Sequence, residues 1–494
     1  MDETTGQPFA ALHETHSGVV FLLGGRVYKA KKPIRTDFLD FRSRDARRAV
    51  CAREVELNRR LAPDVYLGVV ELPDPGAADG EPLVVMRRMP EAARLSTLVR
   101  GVDGGDRIDA IADTVARFHT RALRGPDIAA EGAETAVRRR WSNNIRETRA
   151  LGQDVLTDDR LDALERRVLR YLDGRGALFA ERVAAGRIVD GHGDLLADDI
   201  FWLGDGPRIL DCLEFDDRLR YLDGVDDIAC LAMDLEFLGR PDLAGRLFER
   251  YAATADDPAP GSLRHHYVAY RAFMRAKVDC VRHLQGRAES TQDALRHTAL
   301  AEAHLDRGAV RLAIVGGLPA TGKSTVARAL AAEVGAVLVS SDAIRREFFA
   351  AERAADPDLG FGRGRYAAEA TARVYEALLD RARPHLDRGV SVVLDASWID
   401  ADWRKRATEV AAEARADLVQ LRCVAPPEVT GRRLLERAAT ARDHDSEATP
   451  EIARAMTGRA DAWPEATDID TGGPVEQALV AATTHWSSTV GRDR

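Results

Sequence analysis

The sequence predicts a mixed α/β and α+β chain of two domains, on three observations. From about residue 306, apolar runs of strand length alternate with helical patterns, the order that builds a parallel sheet with right-handed crossovers. Residues 1–305 instead place short strands first and helices afterwards, with one later hairpin near 200–211. The 494 residues are 45% hydrophobic and 31% charged, which suits several folded cores rather than disorder. No Pro/Gly/Ser-rich linker separates the halves. The boundary near 305 rests on AEAHLDRGAV, where a helix ends at Gly308 and a strand follows. No internal repeat and no low-complexity tract is visible.

Composition narrows the function classes. A net charge of −9 argues against non-specific nucleic-acid binding. No apolar run approaches the roughly 18–20 residues of a membrane span. The stretch MDETTGQPFAALHETHSG carries acids and no apolar core of a signal peptide. Five scattered cysteines form no C-x-x-C, so neither a disulfide framework nor a zinc site is expected. The expectation is a cytoplasmic protein with no nucleic-acid or membrane partner; the oligomeric state is not legible.

Taken in order, GVVFLLGGRVYKA (18–30) reads as two strands joined at Gly24-Gly25, with Lys29 on the second. RDARRAVCAREVELNRRLAP reads as a helix that carries Glu54 and ends at Pro63, and EPLVVMRRMP (81–90) as another strand. Strands, then a helix, with a lysine on a strand and a glutamate on the next helix, follow the small-lobe plan of protein-kinase-like enzymes. A surface lysine and a solvated helix glutamate fit the same residues. Residues 105–185 carry helical periodicity, with Trp141, Asn143 and Asn144 between helices; a packed tryptophan with local polar contacts suits them.

VDGHGDLLADDIFWLGDGPRILDCLEFDD (189–217) carries the first chemistry. Asp194 follows His192-Gly193, Asp199 lies five residues on, and IFWL and RILDCL pair as strands with Asp211 on the second. In the kinase loop H-R-D-x-x-x-x-N the Asp takes the acceptor proton and the residue five later holds Mg²⁺. Here that residue is a carboxylate, still a hard oxygen ligand. An acidic turn without metal is the alternative. Further on, Tyr267, Arg271 and Arg275 share a helical face that a phosphorylated or acidic acceptor could use, or that is merely solvated.

HGDLLADDIF with ILDCLEFD resembles the aminoglycoside-phosphotransferase-like kinases. REVELNRRLAPDVYLGVV, VVMRRMP and LDCLEFDDRLRYLDGVDDIACLAMDLE resemble a narrower bacterial group that fuses such a domain to a C-terminal P-loop kinase domain. The resemblance covers almost the whole chain. It implies a bilobal kinase-like fold for 1–305, small lobe about 1–90 and large lobe about 91–305. It implies that Lys29 binds the α/β-phosphates of ATP, Glu54 pairs with it, Asp194 is the base, and Asp199 and Asp211 hold Mg²⁺. It does not name the acceptor alcohol.

In 306–494, GGLPATGKST fits G-x-x-x-x-G-K-[ST] at Gly317, Gly322, Lys323 and Ser324, between the strand LAIV and a helix that stops at Gly335. Gly317, Leu318, Pro319, Ala320, Thr321, Gly322, Lys323, Ser324 and Thr325 would cradle the phosphates; Lys323 neutralises β and γ, and Ser324 completes a Mg²⁺ shell. Asp395, after SVVL, resembles the acid that orders that Mg²⁺. Asp342 and Arg345 in SSDAIRRE resemble the D-x-x-R of small-molecule P-loop kinases and zeta-toxin-like kinases, where the Asp places the acceptor hydroxyl and the Arg grips phosphate or substrate. Asp342 could equally N-cap AIRREFF. GRRLLERAATARDHDSEATPE resembles a lid, with Arg433 or Arg437 stabilising the transferred charge; a solvated basic helix is the plainer reading. Trp398, Trp403 and Arg404 could line the acceptor side, and DIDTGGPVEQALVAA reads as a last strand and helix.

The expected activity is an ATP-dependent transfer of phosphate to a hydroxyl of a sugar, aminoglycoside-like or similar alcohol, with a second kinase site in the P-loop half. Two alternatives stand. One half is a nucleotide-binding regulatory module, the first half being suspect for Asp199 and a weak glycine loop before Lys29. Or the C-terminal half is a toxin-like kinase of nucleotide sugars.

Overall fold

In the computed structural model the described residues are 8–14, 18–35, 40–73, 79–101, 104–349, 367–439 and 455–488. Five strands open the chain: β1 (Ala10–Glu14), β2 (Gly18–Leu23), β3 (Arg26–Lys31), then after helix α1 (Arg44–Asn58), β4 (Tyr66–Leu72) and β5 (Glu81–Arg87). They form an antiparallel sheet of order β1-β2-β3-β5-β4. The edge strands β1 and β4 were not expected from sequence. Both carry mostly exposed side chains, and β4 bulges at Gly68, so neither shows the alternation that marks a half-buried strand. α1 starts where the Ser43 hydroxyl accepts from Ala46 N–H at 3.2 Å. Its Cys51 and Val55 pack with Val65, Tyr66 and Val84, and the same cluster takes in Phe201 and Leu210 of the later hairpin. One apolar cluster thereby fixes Glu54 against the segment that ends at Asp211.

Helices follow: α2 (Leu95–Leu98), α3 (Gly105–Arg121), α4 (Pro126–Ala130), α5 (Glu134–Leu151), α6 (Asp158–Asp173) and α7 (Gly176–Ala184). The chemistry-bearing stretch holds β6 (Ile188–Asp190), the hairpin β7 (Ile200–Leu203) and β8 (Gly206–Ile209), and β9 (Tyr221–Asp223), which pairs with β6. Then come α8 (Gly224–Phe237), α9 (Pro241–Ala255), α10 (Gly261–Leu284) and α11 (Ser290–Arg307). Trp141 is a core residue: it is fully buried, stacks on Phe273 and donates from Nε1 to His266 at 3.1 Å.

The remaining strands, β10 (Arg311–Gly316), β11 (Val337–Ser340), β12 (Val392–Asp395), β13 (Asp417–Val424) and β14 (Thr467–Asp470), form a wholly parallel sheet of order β11-β12-β10-β13-β14. Its helices are α12 (Lys323–Glu333), α13 (Ser341–Phe348), α14 (Ala368–Asp387), α15 (Ala401–Glu413), α16 (Pro427–Ala439) and α17 (Val475–Ser488). β10 is central and buried throughout, so the loop after it leaves the middle of the sheet at the strands' carboxyl ends, where ligands bind in open α/β sheets.

The chain divides into two compact units: Met1–Leu161 with Phe179–Ala259 and His266–Glu302, and Ala303–Arg494 with Asp162–Leu178 and Pro260–His265. Polar bonds explain why two earlier segments join the second unit. Arg175, 1% exposed, donates to the carbonyls of Leu386 and Ala414, and the Ser262 hydroxyl donates to Gly389 O at 2.7 Å.

Candidate active site

In the first unit, β3 presents Lys29 and α1 presents Glu54. Lys29 Nζ lies 2.9 Å from Glu54 Oε1 and 2.7 Å from Asp211 Oδ1. The other oxygen of Glu54 meets Lys31 Nζ at 2.6 Å, and Lys31 also meets Glu214 at 2.6 Å. Glu54 is fully buried. Burial alone would raise its pKa, but the two ammonium groups outweigh it and hold the carboxylate ionised. For Lys29, burial opposes the charge while Asp211 and Glu54 push its pKa well up. No motif names Lys31 or Glu214; the alternation K-A-K across β3 is the sign the sequence carries of the first.

The loop after β6 carries Asp194. His192 is buried, and burial lowers its pKa, leaving a neutral ring. Nε2 lies 3.0 Å from Leu210 O, which can only accept, so the proton sits there and Nδ1 faces Asp194 N–H at 3.4 Å. Gly193 has φ of +91°, and an added Cβ would come within 2.9 Å of Leu213, so the H-G-D spacing needs its glycine. The loop is fastened by residues that no short motif revealed. Asp227 on α8, fully buried, accepts from His192 N–H at 2.7 Å and Gly193 N–H at 2.9 Å, and pairs with His119 Nε2 at 2.9 Å. Arg271 bonds Asp226 at 2.7 Å and Gly193 O at 2.6 Å. The solvated face read for Tyr267 and Arg271 is therefore corrected: both are buried, and Arg271 is an internal clamp. Asp227→Ala strands two amides and a histidine nitrogen in the interior. It should cost the first unit about 3–5 kcal/mol, read as a lowered unfolding midpoint; an unshifted midpoint would exclude the fastening role.

Asp199 ends a 3₁₀ turn ahead of β7. Asp211 is not on the second hairpin strand, as expected, but two residues past its end, at φ +62°. Its N–H donates to the Tyr66 hydroxyl at 3.2 Å, and the next N–H to Asn58 Oδ1 at 2.9 Å, which holds the left-handed turn. Lys29 pulls the pKa of Asp211 down, whereas burial, then Asp211 and Asp194, push that of Asp199 well up. Burial beside two carboxylates thus favours the protonated form of Asp199, and a cation among them would release that proton. The folded state binds more protons than the unfolded one, so stability falls as pH rises above the ordinary carboxyl range. Asp199→Asn should raise the unfolding midpoint at neutral pH, by about 1 kcal/mol or roughly 2–4 °C, and much less at pH near 4. Equal gains at both pH values would refute the charge argument.

In the second unit, β10 leads to Gly317 at φ +143°, where a Cβ would lie 2.6 Å from Thr321 Oγ1 and 2.7 Å from Cys423 O. Ala320, at φ +65°, is buried. Gly322 caps α12 with no side chain of its own, so the helix start is left to an anion. Leu318 and Pro319 complete the turn, with Thr321 Oγ1 donating to Leu318 O at 2.8 Å and Thr325 N–H to Gly322 O at 3.1 Å. Arg433 reaches the loop: Nη1 donates to Ala320 O at 3.3 Å and Nη2 to Thr471 O at 2.7 Å. Thr471, unassigned from sequence, donates its hydroxyl to Thr321 O. Arg437 lies on α16, but its side chain, like residues 440–454, lies outside the described residues.

Asp395 ends β12. It is 4% exposed and its Oδ1 has no hydrogen-bond partner. Burial raises its pKa against the pull of Lys323 and Ser324, while Asp342 adds to the rise. Lys323, Ser324, Asp342 and Asp395 therefore share one electrostatic neighbourhood. The N-cap of α13 is Ser340, so Asp342 is not the cap residue but lies in the first turn with Arg345 one turn on. Trp398 and Arg404 do not line an acceptor site: Trp398 is fully buried, and Arg404 donates to Trp398 O at 2.8 Å and Ala462 O at 2.7 Å. Trp403 stacks on Tyr375.

Among the described residues no three His, Cys, Asp or Glu side chains gather as a self-sufficient metal site. Mg²⁺ is commonly held by one or two carboxylates together with phosphates. The orphaned Oδ1 of Asp395 beside Ser324, and the carboxyls of Asp199 and Asp211, fit such an ion, which would spread phosphate charge. The five cysteines are all free and buried. No helix among the described residues is long and apolar enough to cross a membrane.

Residues 312–462 match the family model described as AAA domain. Over 487 residues the chain is 45% identical to the uncharacterized protein Rv2004c of Mycobacterium tuberculosis (strain ATCC 25618 / H37Rv), covering 98% of this chain and 97% of that one. The chain belongs to the Rv2004c family. The uncharacterized protein Mb2027c of Mycobacterium bovis matches with the same figures. Members of the family thus share both units. Among solved structures, the chain is similar to a choline/ethanolamine kinase family protein from Mesorhizobium loti, at 15% identity and TM-score 0.39, covering 61% of this chain and 90% of that one. It is also similar to a putative kinase from Chloroflexus aurantiacus, at 25% identity and TM-score 0.29, covering 36% and 98%. In this family a unit built on an antiparallel five-stranded sheet and a unit that carries the AAA-domain match stand in one chain.

Proposed function

We propose that this chain is an ATP-dependent phosphotransferase that moves the γ-phosphoryl group to a hydroxyl of a small-molecule acceptor, a sugar, aminoglycoside-like compound or similar alcohol. The P-loop unit is a second nucleotide-binding kinase site. The observation that carries this is the grouping, in the first unit, of the Lys29–Glu54 pair with Asp211, Asp199 and the fastened Asp194 loop. Phosphoryl transfer asks little covalent chemistry of a protein; it asks for placement and charge. The acceptor oxygen forms its bond to the γ-phosphorus as the bridging oxygen leaves with ADP. Asp194 takes the hydroxyl proton, and Lys29, held straight by Glu54, offsets charge on the α- and β-phosphates. In the second unit Lys323 and the main-chain amides from Gly317 do the equivalent work. Asp342 places a hydroxyl, and Arg345, with Arg433 or Arg437, offsets charge on the transferred group. Neither nucleic acid nor membrane lipid is the acceptor.

The test is transfer from γ-labelled ATP to a panel of sugars, aminoglycosides, nucleotide sugars and proteins by the full chain. Labelled small alcohols are expected. Label found only on protein, or on no acceptor at all, would overturn the assignment. A nucleotide sugar labelled through the second unit would give that unit the toxin-like specificity instead.

A further inference from the structure

We propose that a cavity between α1 and α3 of the first unit binds a dianionic phosphate ester of sugar size, apart from both nucleotide sites. The cavity measures about 400 Å³. α1 lends it Arg53, the turn just after α1 lends it Arg60, and α3 lends it Arg117 and Arg121; Glu56 and Asp190 are the acids in its lining. Arg53 is held by Glu56 at 2.9 Å and Asp217 at 3.3 Å. Arg60 lies 3.5 Å from Asp190 Oδ2 and donates to Asp190 O and Gly191 O at 3.1 and 2.8 Å, with its guanidinium 4.9 Å above the Phe118 ring. Arg117 and Arg121 are exposed and one helical turn apart; Asp113, one turn before Arg117, lends it an opposing charge but is itself bonded to Arg250. Two solvated arginines on one helix are ordinary. Four arginines from α1, the turn after it and α3 line one half-open volume; with Arg53 and Arg60 already paired, Arg117 and Arg121 carry the positive charge that a ligand can neutralise. Two guanidinium forks a turn apart match the oxygens of a phosphate, and Leu57, Leu61 and Phe118 offer apolar surface to a carbon skeleton.

The site is wired to the chemistry. Arg60 holds the carbonyls just before His192-Gly193-Asp194, and its Nη2 lies 3.1 Å from Sγ of Cys212, the residue after Asp211. Arg60 lies two residues past the end of α1, the helix that carries Glu54. A ligand that cross-links α1 to α3 therefore sets the spacing between the Lys29–Glu54 pair and Asp194, and with it the turnover of the first unit. That regulatory part rests on the function proposed above; the binding part does not.

The test is calorimetric titration of the full chain with glucose 6-phosphate, against glucose plus equimolar sulfate. Uptake should weaken by roughly tenfold or more in Arg117→Ala/Arg121→Ala. It should persist in Asp194→Ala/Lys323→Ala, where both transfer sites are disabled. Both arginines are exposed, so an unchanged unfolding midpoint certifies the variant, and Arg117→Glu/Arg121→Glu should abolish uptake. No heat at millimolar ligand, uptake indifferent to the arginines, or equal uptake of sulfate overturns the site. Uptake that leaves ATP turnover of the Lys323→Ala chain unchanged overturns the regulatory part alone, and leaves the proposed transfer standing.

Discussion

Asp194→Ala should lower phosphate transfer by the first unit by about 10²–10⁴-fold, the usual worth of a placed general base, with nucleotide affinity nearly kept. The loop that carries Asp194 is anchored through its neighbours' main chain, by Asp227 to the amides of residues 192 and 193 and by Arg271 to the carbonyl of 193. Truncating the Asp194 side chain leaves all of those bonds in place. The loss should therefore fall on kcat, not on folding or KM. The clean measurement is labelled transfer in a Lys323→Ala background, so that the remaining turnover belongs to one unit. If adding Asp194→Ala to that background changed nothing, Asp194 would not be the base and the first unit would be a binding module.

What could be read from sequence was what local chemistry fixes. The P-loop needs a strand, glycines at two positions, a lysine and a hydroxyl within ten residues, and each requirement is visible in one dimension. The H-G-D loop is similar, since its glycine is forced by backbone conformation. The supports were not legible. Asp227 reaches His192 across 35 positions, and nothing in GVDDIACLAMDLE distinguishes a carboxylate that holds a loop from one that faces water. Arg271 reads as part of a basic surface because sequence spacing shows a helix face but not what covers it. Asp211 was placed on a strand because the apolar pattern of RILDCL runs through it. The strand in fact stops at Ile209, and the left-handed turn at Asp211 is held by Tyr66 and Asn58, residues distant in the chain. The two segments 162–178 and 260–265 count with the second unit for a like reason: carbonyl contacts leave no mark on periodicity.

Lys323→Ala should lower transfer by the second unit steeply and weaken its hold on Mg²⁺·ATP. Losing one charge-assisted bond to phosphate costs about 1.5–3 kcal/mol, or roughly 10–100-fold in Kd. Losing a preorganised charge at the reacting group costs about 10²–10³-fold in rate. The neighbourhood adds to this. Asp395 is buried with one oxygen unbonded, and Lys323 is the foremost charge offsetting its burial. Without the ammonium, the acid is pushed further toward its protonated form, in which it is a poor partner for a divalent ion. On the proposed roles, one substitution would remove a phosphate contact and weaken the carboxylate offered to the metal. Calorimetric titration with Mg²⁺·ATP in a Lys29→Ala background, where the first site is weakened, isolates the effect. It should be smaller when ATP is titrated without Mg²⁺, because only the direct contact is then lost. Equal losses with and without the ion would mean that Asp395 does not depend on Lys323, and that the two act separately.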